Sequence, residues 1–139
     1  MEKAEIQALI REAFAAQKFA YVPYSHFPVD SALHSKNGQV FRGCNIENAS
    51  YTPTICAERT ALFKAVSEGV REFDAIAIVG SKVGETNTLV TGPCGVCRQA
   101  LYEFGGPELT VIMARSEDDY IVTTLGDLLP YGFGPANLE

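Results

Sequence analysis

The sequence predicts an α/β fold, a three-layer α/β/α sandwich around a five-stranded mixed sheet. Segments with strand-like and helix-like apolar spacing alternate along the chain, as they do in layered α/β folds. Only residues 114–119 separate the last two strand-like segments, and this link is too short for a helical crossover. The last two strands are therefore expected to be antiparallel.

The first part of the chain predicts a helix and a hairpin. Apolar residues recur at helical spacing in Glu2–Lys18, and this helix should end before the turn-rich Tyr21–Ser25. Two strand-like runs, Phe27–His34 and Gln39–Cys44, flank Lys36–Gly38. Because Asn-Gly between extended segments is a strong hairpin signal, we expect these two strands to pair with each other.

The rest of the chain alternates between helix and strand. A helix is expected to begin near Cys56 and to end at Gly69. Asp74–Val79 is a continuous apolar run, typical of a strand that is buried on both faces. The remaining elements are, in order, a loop over Gly80–Gly92, a helix from Pro93 to Gly105 and Gly106, strands at Leu109–Met113 and Tyr120–Thr123, and a short helix near Leu125–Leu129.

Length and composition favour one globular domain over residues 1–139. This length supports one core but not two. The net charge of −6 argues against a nucleic-acid partner, because phosphate binding favours a basic face. The amino end lacks the pattern of a signal peptide, and no apolar segment is long enough to span a membrane. We therefore expect a cytoplasmic protein whose cysteines serve metal or redox chemistry rather than disulfides.

Two short motifs carry the chemistry, Cys56-Ala-Glu58 and Pro93-Cys-Gly-Val-Cys97. A catalytic zinc takes three protein ligands and keeps a fourth position open, and Cys56, Cys94 and Cys97 supply three thiolates. Glu58 is the candidate proton carrier for a water at the open position.

The charge of three thiolates needs compensation. Both motifs lie where a helix is expected to begin, and the N–H groups and dipole of a helix N-terminus favour negative charge. Arg59 and Arg98, each adjacent in sequence to a motif residue, are candidates for offsetting the rest.

Two other interpretations of these cysteines are weaker. A structural zinc site needs a fourth ligand, and Cys44, His26 and His34 are the only other cysteine and histidine residues in the chain. Cys44 is expected to be a buried thiol at a strand end, and the histidines to be ordinary polar residues. A redox Cys-x-x-Cys has no use for a Cys-x-Glu motif upstream.

The chain resembles the cytidine deaminases, in their small homotetrameric zinc-dependent form within the cytidine/deoxycytidylate deaminase superfamily. The Asn-Ile-Glu-Asn block is more specific than the zinc motif, which the whole superfamily shares. A short link before an antiparallel last strand also resembles the branch that acts on free nucleosides. The matching blocks span nearly the whole chain: Tyr24–Val29, Arg42–Ala49, Cys56–Gly69, Pro93–Gln99 and Leu128–Gly134.

The resemblance implies hydrolytic deamination of cytidine and deoxycytidine to uridine and deoxyuridine in pyrimidine salvage. It also implies one zinc ion per chain and a homotetramer with shared active sites. For the metal site, the resemblance implies zinc binding by Cys56, Cys94 and Cys97, proton transfer by Glu58, and hydrogen bonding of the thiolates by Arg59. For the substrate, it implies ribose binding by Asn45 and Glu47, packing on the base by Phe27, and contact of the Ala57 backbone with the base carbonyl. It also implies that Tyr51 and Phe133 contribute to a neighbouring subunit's pocket.

Two rival functions remain open. A deaminase of another small aminopyrimidine nucleoside, of the blasticidin S type, shares the zinc motifs, but the intact Asn45–Asn48 block favours cytidine. A zinc-stabilised binding protein without turnover is the second rival. Glu58 argues against it, because a structural site does not use that carboxylate.

One segment departs from the family pattern. The family reads Phe-x-Val-Gly-Ala where this chain has Phe27-Pro-Val-Asp-Ser31. Strand alternation places Asp30 on the face opposite Phe27, and Ser31 on the same face as Phe27, near the floor of the pocket. Because a buried carboxylate is costly unless paired, Asp30 is expected to have a partner or to reach solvent at a sheet edge. The candidate partners are Arg11, Lys18 and His34. His34 lies four residues along the same strand, about 13 Å away and too far for direct contact, which favours a partner on a helix or a neighbouring strand.

Overall fold

The helices lie close to their predicted positions in the computed structural model, which describes residues 1–85 and 89–139. The glycines expected to end the second and third helices lie just beyond or at their ends, and Gly69 and Gly106 adopt φ values of 88° and 66°. The helices are α1 (Lys3–Ala16), α2 (Ala57–Ser67), α3 (Gly95–Gly105) and α4 (Leu125–Leu128), with 3-10 turns at Gln17–Phe19 and Pro135–Leu138.

The strands are β1 (Val29–Ser35), β2 (Val40–Cys44), β3 (Phe73–Gly80), β4 (Thr110–Ala114) and β5 (Tyr120–Thr124). In the described residues they form one sheet with the order β2-β1-β3-β4-β5. The β1–β2 and β4–β5 pairs are antiparallel and the β3–β4 pair is parallel, so both predicted antiparallel pairings are confirmed. Within the predicted loop at 80–92, residues 86–88 lie outside the described part of the chain.

Helices cover both faces of the sheet, which confirms the three-layer sandwich. One apolar cluster joins α1 to the alanine-rich face of β3, including Ala75, Ala77 and Val79. The other joins α2, α3 and α4 to the opposite face, through side chains such as Ile76 and Ile78. The continuous apolar run of β3 thus follows from burial on both faces. In the described part of the chain, no helix combines the length and the apolar character that a membrane crossing requires.

The hairpin brings β2 against the start of α2. Its turn contains Gly38, whose φ of 93° suits a glycine, and β1 pairs with β2 from Asp30 opposite Cys44 to His34 opposite Val40. Gly43 faces α2, and a Cβ atom built on it would lie 2.2 Å from the Ala57 carbonyl oxygen. Only glycine allows this approach, which fixes the first turn of α2 over the sheet.

Candidate metal centre and active site

Three cysteine sulfurs meet between the first turns of α2 and α3. Cys56 is the residue before α2, Cys94 is the residue before α3, and Cys97 lies in the first turn of α3. The Sγ atom of Cys94 lies 3.8 Å from that of Cys56 and 3.4 Å from that of Cys97. The three sulfurs all lie within 4.8 Å of one another, and they form the one group of possible metal ligands found among the described residues.

This cluster fits a zinc ion. Two thiolates on one tetrahedral zinc, with Zn–S bonds of about 2.3 Å, lie roughly 3.8 Å apart, close to the separations seen here. A set of soft sulfur ligands is also what zinc prefers over harder cations. The four cysteines are free thiols. Cys44 does not belong to the cluster. It lies at the end of β2 as predicted, but it is partly exposed rather than buried.

Arg59 and the neighbouring thiols stabilise negative charge at the cluster. The Nη2 atom of Arg59 donates to Cys56 Sγ at 3.4 Å. Hydrogen bonding from the Cys97 thiol, followed by that from Arg59, lowers the pKa of Cys56. The pKa of Cys97 is raised, first because its proton is held in that bond and second because the side chain is buried. Cys94 Sγ accepts the backbone N–H of Cys97 at 3.4 Å, as expected at a helix N-terminus.

Arg98, the other candidate for offsetting the thiolate charge, is directed elsewhere. Its Nε atom donates to the Pro93 carbonyl and its Nη1 atom to the Leu128 carbonyl, each at 2.7 Å. Its guanidinium therefore holds backbone groups, a contact that the sequence did not indicate.

Glu58 is a buried carboxyl group beside the sulfurs. It lies in the first turn of α2, two residues after Cys56, and is 3% exposed. Its Oε1 atom accepts no hydrogen bond from any residue that the structure describes. Burial, reinforced by the charge of Cys56, raises the pKa of Glu58 to about 7. A carboxyl with this pKa can both accept and return a proton near neutral pH.

Phe27 packs against the end of β3, and Ala57 begins α2. Phe27 is partly buried, and its ring lies over Gly80, where a built Cβ atom would be 3.1 Å from Phe27 Cε1. Ala57 is fully buried as the first residue of α2, and its carbonyl accepts the Ser31 hydroxyl at 3.0 Å. Ser31 thus contacts the peptide that precedes Glu58, consistent with its predicted place near the pocket floor.

Asn45 and Glu47 organise the loop that precedes β1. The side chain of Asn45 accepts the Val29 N–H at 3.0 Å and donates to the Phe27 carbonyl at 2.9 Å. One oxygen of Glu47, Oε1, accepts the N–H groups of Tyr24 and Ser25 at 2.9 and 3.1 Å. Hydrogen bonding from the Ser25 side chain, followed by that from the two backbone N–H groups, lowers the pKa of Glu47. Neither set of backbone partners was evident from the sequence.

Tyr51 and Phe133 are exposed aromatic residues. Tyr51 is 72% exposed and has a φ of 63°, which is unusual for a residue other than glycine. Its ring makes an edge-to-face contact with Tyr24, with centroids 6.1 Å apart, beside a cavity of about 390 Å³ that Glu47 also lines. Phe133 is 57% exposed, and its carbonyl accepts the side-chain N–H of Gln99 at 2.8 Å.

The prediction for Asp30 is right about its face and wrong about its partner. Asp30 lies on the α1 face with Ala32, opposite the face of Ser31 and Leu33. It is fully buried, and neither carboxyl oxygen has a hydrogen-bond partner among the described residues.

The three candidate partners of Asp30 are engaged elsewhere. Arg11 pairs with Glu117, His34 Nδ1 lies 2.6 Å from Asp74 Oδ1, and Lys18 lies over the Phe19 ring. Burial raises the pKa of Asp30 to about 8, so the group is protonated at neutral pH. Protonation takes the place of the expected ion pair.

Three sulfur ligands with an adjacent buried carboxyl group define a class of metal-dependent hydrolases, in which the metal and the acid-base group are separate. A model of the family described as the cytidine and deoxycytidylate deaminase zinc-binding region matches residues 3–113. The chain belongs to this family, and zinc is its cofactor.

Relatives resemble the chain over nearly its whole length. The cytidine deaminase of Sporosarcina psychrophila is 45% identical over 97% of this chain and 96% of its own, and that of Halalkalibacterium halodurans is 50% identical over 91% and 92%. A crystal structure of cytidine deaminase from Burkholderia pseudomallei is 50% identical, with a TM-score of 0.81 over 91% of this chain and 97% of its own. The blasticidin-S deaminase of Bacillus cereus is more distant, at 30% identity over 73% of this chain and 74% of its own.

Proposed function

We propose that this chain hydrolyses cytidine and deoxycytidine to uridine and deoxyuridine, with release of ammonia, in pyrimidine salvage. The observation that carries the proposal is Glu58, whose buried and unpartnered Oε1 atom lies beside a three-sulfur cluster among the described residues. A buried carboxyl oxygen without a hydrogen-bond partner is energetically costly, and a role in proton transfer beside the metal site accounts for it. The relatives named cytidine deaminase, at 45–50% identity, support the choice of substrate.

Cys56, Cys94 and Cys97 would hold the zinc ion, which supplies Lewis acidity that lowers the pKa of a water toward neutrality. Glu58 accepts a proton from the attacking water and delivers it to N3 of the pyrimidine ring. It then accepts the remaining proton of that water from the hydroxyl group now on C4 and passes it to the departing amine, which leaves as ammonia while the C4 carbonyl forms. Its pKa of about 7 suits both directions of transfer. Arg59 stabilises the negative charge of Cys56 through the hydrogen bond at 3.4 Å.

The nucleoside is held by groups on both sides of the loop before β1. Phe27 packs on the base, and the Ala57 N–H, in the first turn of α2 where helix donors have no helical partner, meets the base carbonyl. Glu47 uses Oε1 for backbone N–H groups, so its other oxygen is directed to a ribose hydroxyl. Asn45 donates one amide N–H to the Phe27 carbonyl and offers its second to the ribose.

The assembly is a homotetramer with shared active sites. Tyr51 and Phe133 leave large aromatic surfaces exposed, and such surfaces are typical of interfaces. In this arrangement each chain, as one domain of residues 1–139, lends both rings to a neighbouring pocket. Light scattering should give a mass near four times 15.1 kDa. An active monomer would refute both the assembly and the shared site.

Free thiols at all four cysteines support a cytoplasmic location, because reducing compartments keep thiols unpaired. Cell fractionation of the tagged protein tests this assignment. Recovery from an oxidising compartment with Cys94 disulfide-bonded would contradict it.

The substrate is tested by following absorbance when cytidine, deoxycytidine and blasticidin S are mixed with the zinc-loaded protein in parallel. We expect rapid loss of absorbance with the first two and at most slow change with the third. A strong preference for blasticidin S would establish the rival deaminase. Zinc binding at one ion per chain without turnover of any of the three would establish a binding protein instead.

A further inference from the structure

Arg98 contacts the backbone on both sides of Cys94. Its backbone N–H donates to the Cys94 carbonyl at 2.9 Å, and its side-chain Nε donates to the Pro93 carbonyl at 2.7 Å. The side chain therefore folds back along the first turn of its own helix. Because Cys94 itself is exposed, these contacts are what fixes the peptide planes on either side of its sulfur.

The same guanidinium reaches the carboxyl-terminal part of the chain. Its Nη1 atom donates to the carbonyl of Leu128, the last residue of α4, at 2.7 Å. The last carbonyls of a helix have no partner within the helix, so this bond satisfies a group that would otherwise need water. Leu128 opens the segment of residues 128–134, here named the C-terminal segment, which carries Phe133.

Two further residues of α3 hold the C-terminal segment. Gln99 donates to the Phe133 carbonyl at 2.8 Å. The ring of Tyr102 packs on Gly132 and Gly134, where built Cβ atoms would lie 2.8 and 2.6 Å from ring carbons. The helix that supplies two of the three sulfurs is therefore also the platform on which the C-terminal segment lies.

We propose that Arg98 is a positioning residue that joins the Pro93–Cys94 metal-binding loop and the C-terminal segment into one unit. The inference rests on the proposed function, because it assigns Cys94 to the zinc site and Phe133 to a substrate pocket. The planar guanidinium offers several N–H donors in a fixed fork and so serves two carbonyls at once, which a lysine ammonium on a flexible stem cannot reproduce. Displacement of either carbonyl is transmitted to the other.

Two consequences follow for the protein. Loss of the Pro93 bond frees the peptide before Cys94, so that zinc dissociates faster. Loss of the Leu128 bond loosens the C-terminal segment and with it the Phe133 ring, so that KM rises more than kcat falls. If Arg98 instead acted only as a positive charge near the thiolates, lysine would supply the same charge, and Arg98→Lys would keep wild-type zinc release and KM.

The test compares Arg98→Lys and Arg98→Met with wild type, all purified as zinc-loaded protein. Zinc release into excess chelator is timed, and kcat and KM for cytidine are measured separately. Arg42→Lys is the matched control, because Arg42 also joins two elements, through Glu12 of α1, but lies outside the zinc and nucleoside sites. Gln99→Leu removes a contact to the C-terminal segment without touching the metal-binding loop.

We expect both Arg98 variants to release zinc about 10- to 100-fold faster, the range typical when a group that orients a metal ligand is lost. KM should rise severalfold in both, Gln99→Leu should raise KM with unchanged zinc release, and Arg42→Lys should match wild type. Zinc release and KM at wild-type values in Arg98→Lys would overturn the proposal in favour of a charge role. Should Arg98→Met fail to fold, Arg98→Lys decides the result alone. Absence of zinc from wild type would instead refute the proposed function on which the inference rests.

Discussion

Two buried carboxyl groups, Glu58 and Asp30, lie on opposite faces of the same sheet and share one property. Each has an oxygen without a hydrogen-bond partner in the described part of the chain, and burial raises the pKa of each. Glu58 lies beside the three sulfurs, whereas Asp30 lies in the closed layer between the sheet and α1. Burial of a carboxyl group with an unpartnered oxygen is therefore expected to support catalysis at Glu58 and to affect only stability at Asp30.

The largest effect is expected from Glu58→Gln. The amide keeps the shape of the side chain but cannot carry a proton, so kcat should fall by about 10²- to 10⁴-fold. Zinc content should stay near one ion per chain, because the carboxyl is not a ligand. Metal analysis beside a deamination assay measures both. Near-normal turnover would show that Glu58, like Asp30, is not needed for catalysis. Loss of the metal would show that Glu58 acts as a ligand rather than as a proton carrier.

Gly43→Ala should be the most destabilising change on the face that carries Glu58. The new methyl group would lie 2.2 Å from the Ala57 carbonyl and 2.6 Å from the Ala61 nitrogen, and backbone atoms cannot move aside cheaply. We expect a loss of about 3 kcal/mol or more in the free energy of unfolding, within the range of severe core overpacking. Gly95→Ala is the control, because a Cβ atom there meets nothing within 4 Å. Urea unfolding that ranks the two variants equally would contradict the close approach of β2 to α2.

Asp30→Asn should change the pH dependence of stability and leave catalysis intact. The native carboxyl keeps its proton up to a pKa of about 8, whereas the unfolded chain loses it near 3.8. Between these values the native state binds more protons, so the free energy of unfolding falls as pH rises, by at most about 1.4 kcal/mol per pH unit. Stability is fully present below the unfolded pKa and is lost as pH rises toward the folded one.

The asparagine variant cannot ionise, so it should lack this decline and become more stable than wild type at pH 9. Urea unfolding at several pH values tests the difference, with kcat and KM for cytidine as the second readout. Parallel pH curves for the two proteins would show that Asp30 is ionised in the folded state. A strong shift in substrate preference would place Asp30 in the pocket.

The smallest effect is expected from Ser31→Ala. It removes the hydroxyl that donates to the Ala57 carbonyl at 3.0 Å, next to the peptide that leads to Glu58. We expect a loss of about 1 kcal/mol in stability and a fall in kcat of about two- to fivefold. Ser35→Ala is the control, since Ser35 is equally buried in β1, but the hydrogen bonds of its hydroxyl to described residues stay within the hairpin turn. Equal kcat values in both variants would confine Ser31 to a structural role.

Local pattern predicted most of the fold because each element carries its own signal. The Asn37–Gly38 turn predicted the hairpin, and the short link at 114–119 predicted the antiparallel last pair. Phe27 and Pro28 were assigned to the first strand, yet β1 begins at Val29. The side chain of Asn45 bonds the backbone at Phe27 and Val29, and such a long-range bond leaves no trace in strand periodicity.

The sequence by itself determined the alternation of helices and strands and the two antiparallel pairings, because apolar spacing and link length are local features. It also determined the chemistry of three thiols and a carboxyl group, because that chemistry follows from residue type and motif spacing. Only the tertiary structure decided that Asp30 is buried without a partner and that Arg98 joins the metal-binding loop to the C-terminal segment. Both outcomes depend on which distant backbone and side-chain atoms meet. Such contacts are set by the packing of layers across the sheet, and neighbouring positions in the chain do not encode them.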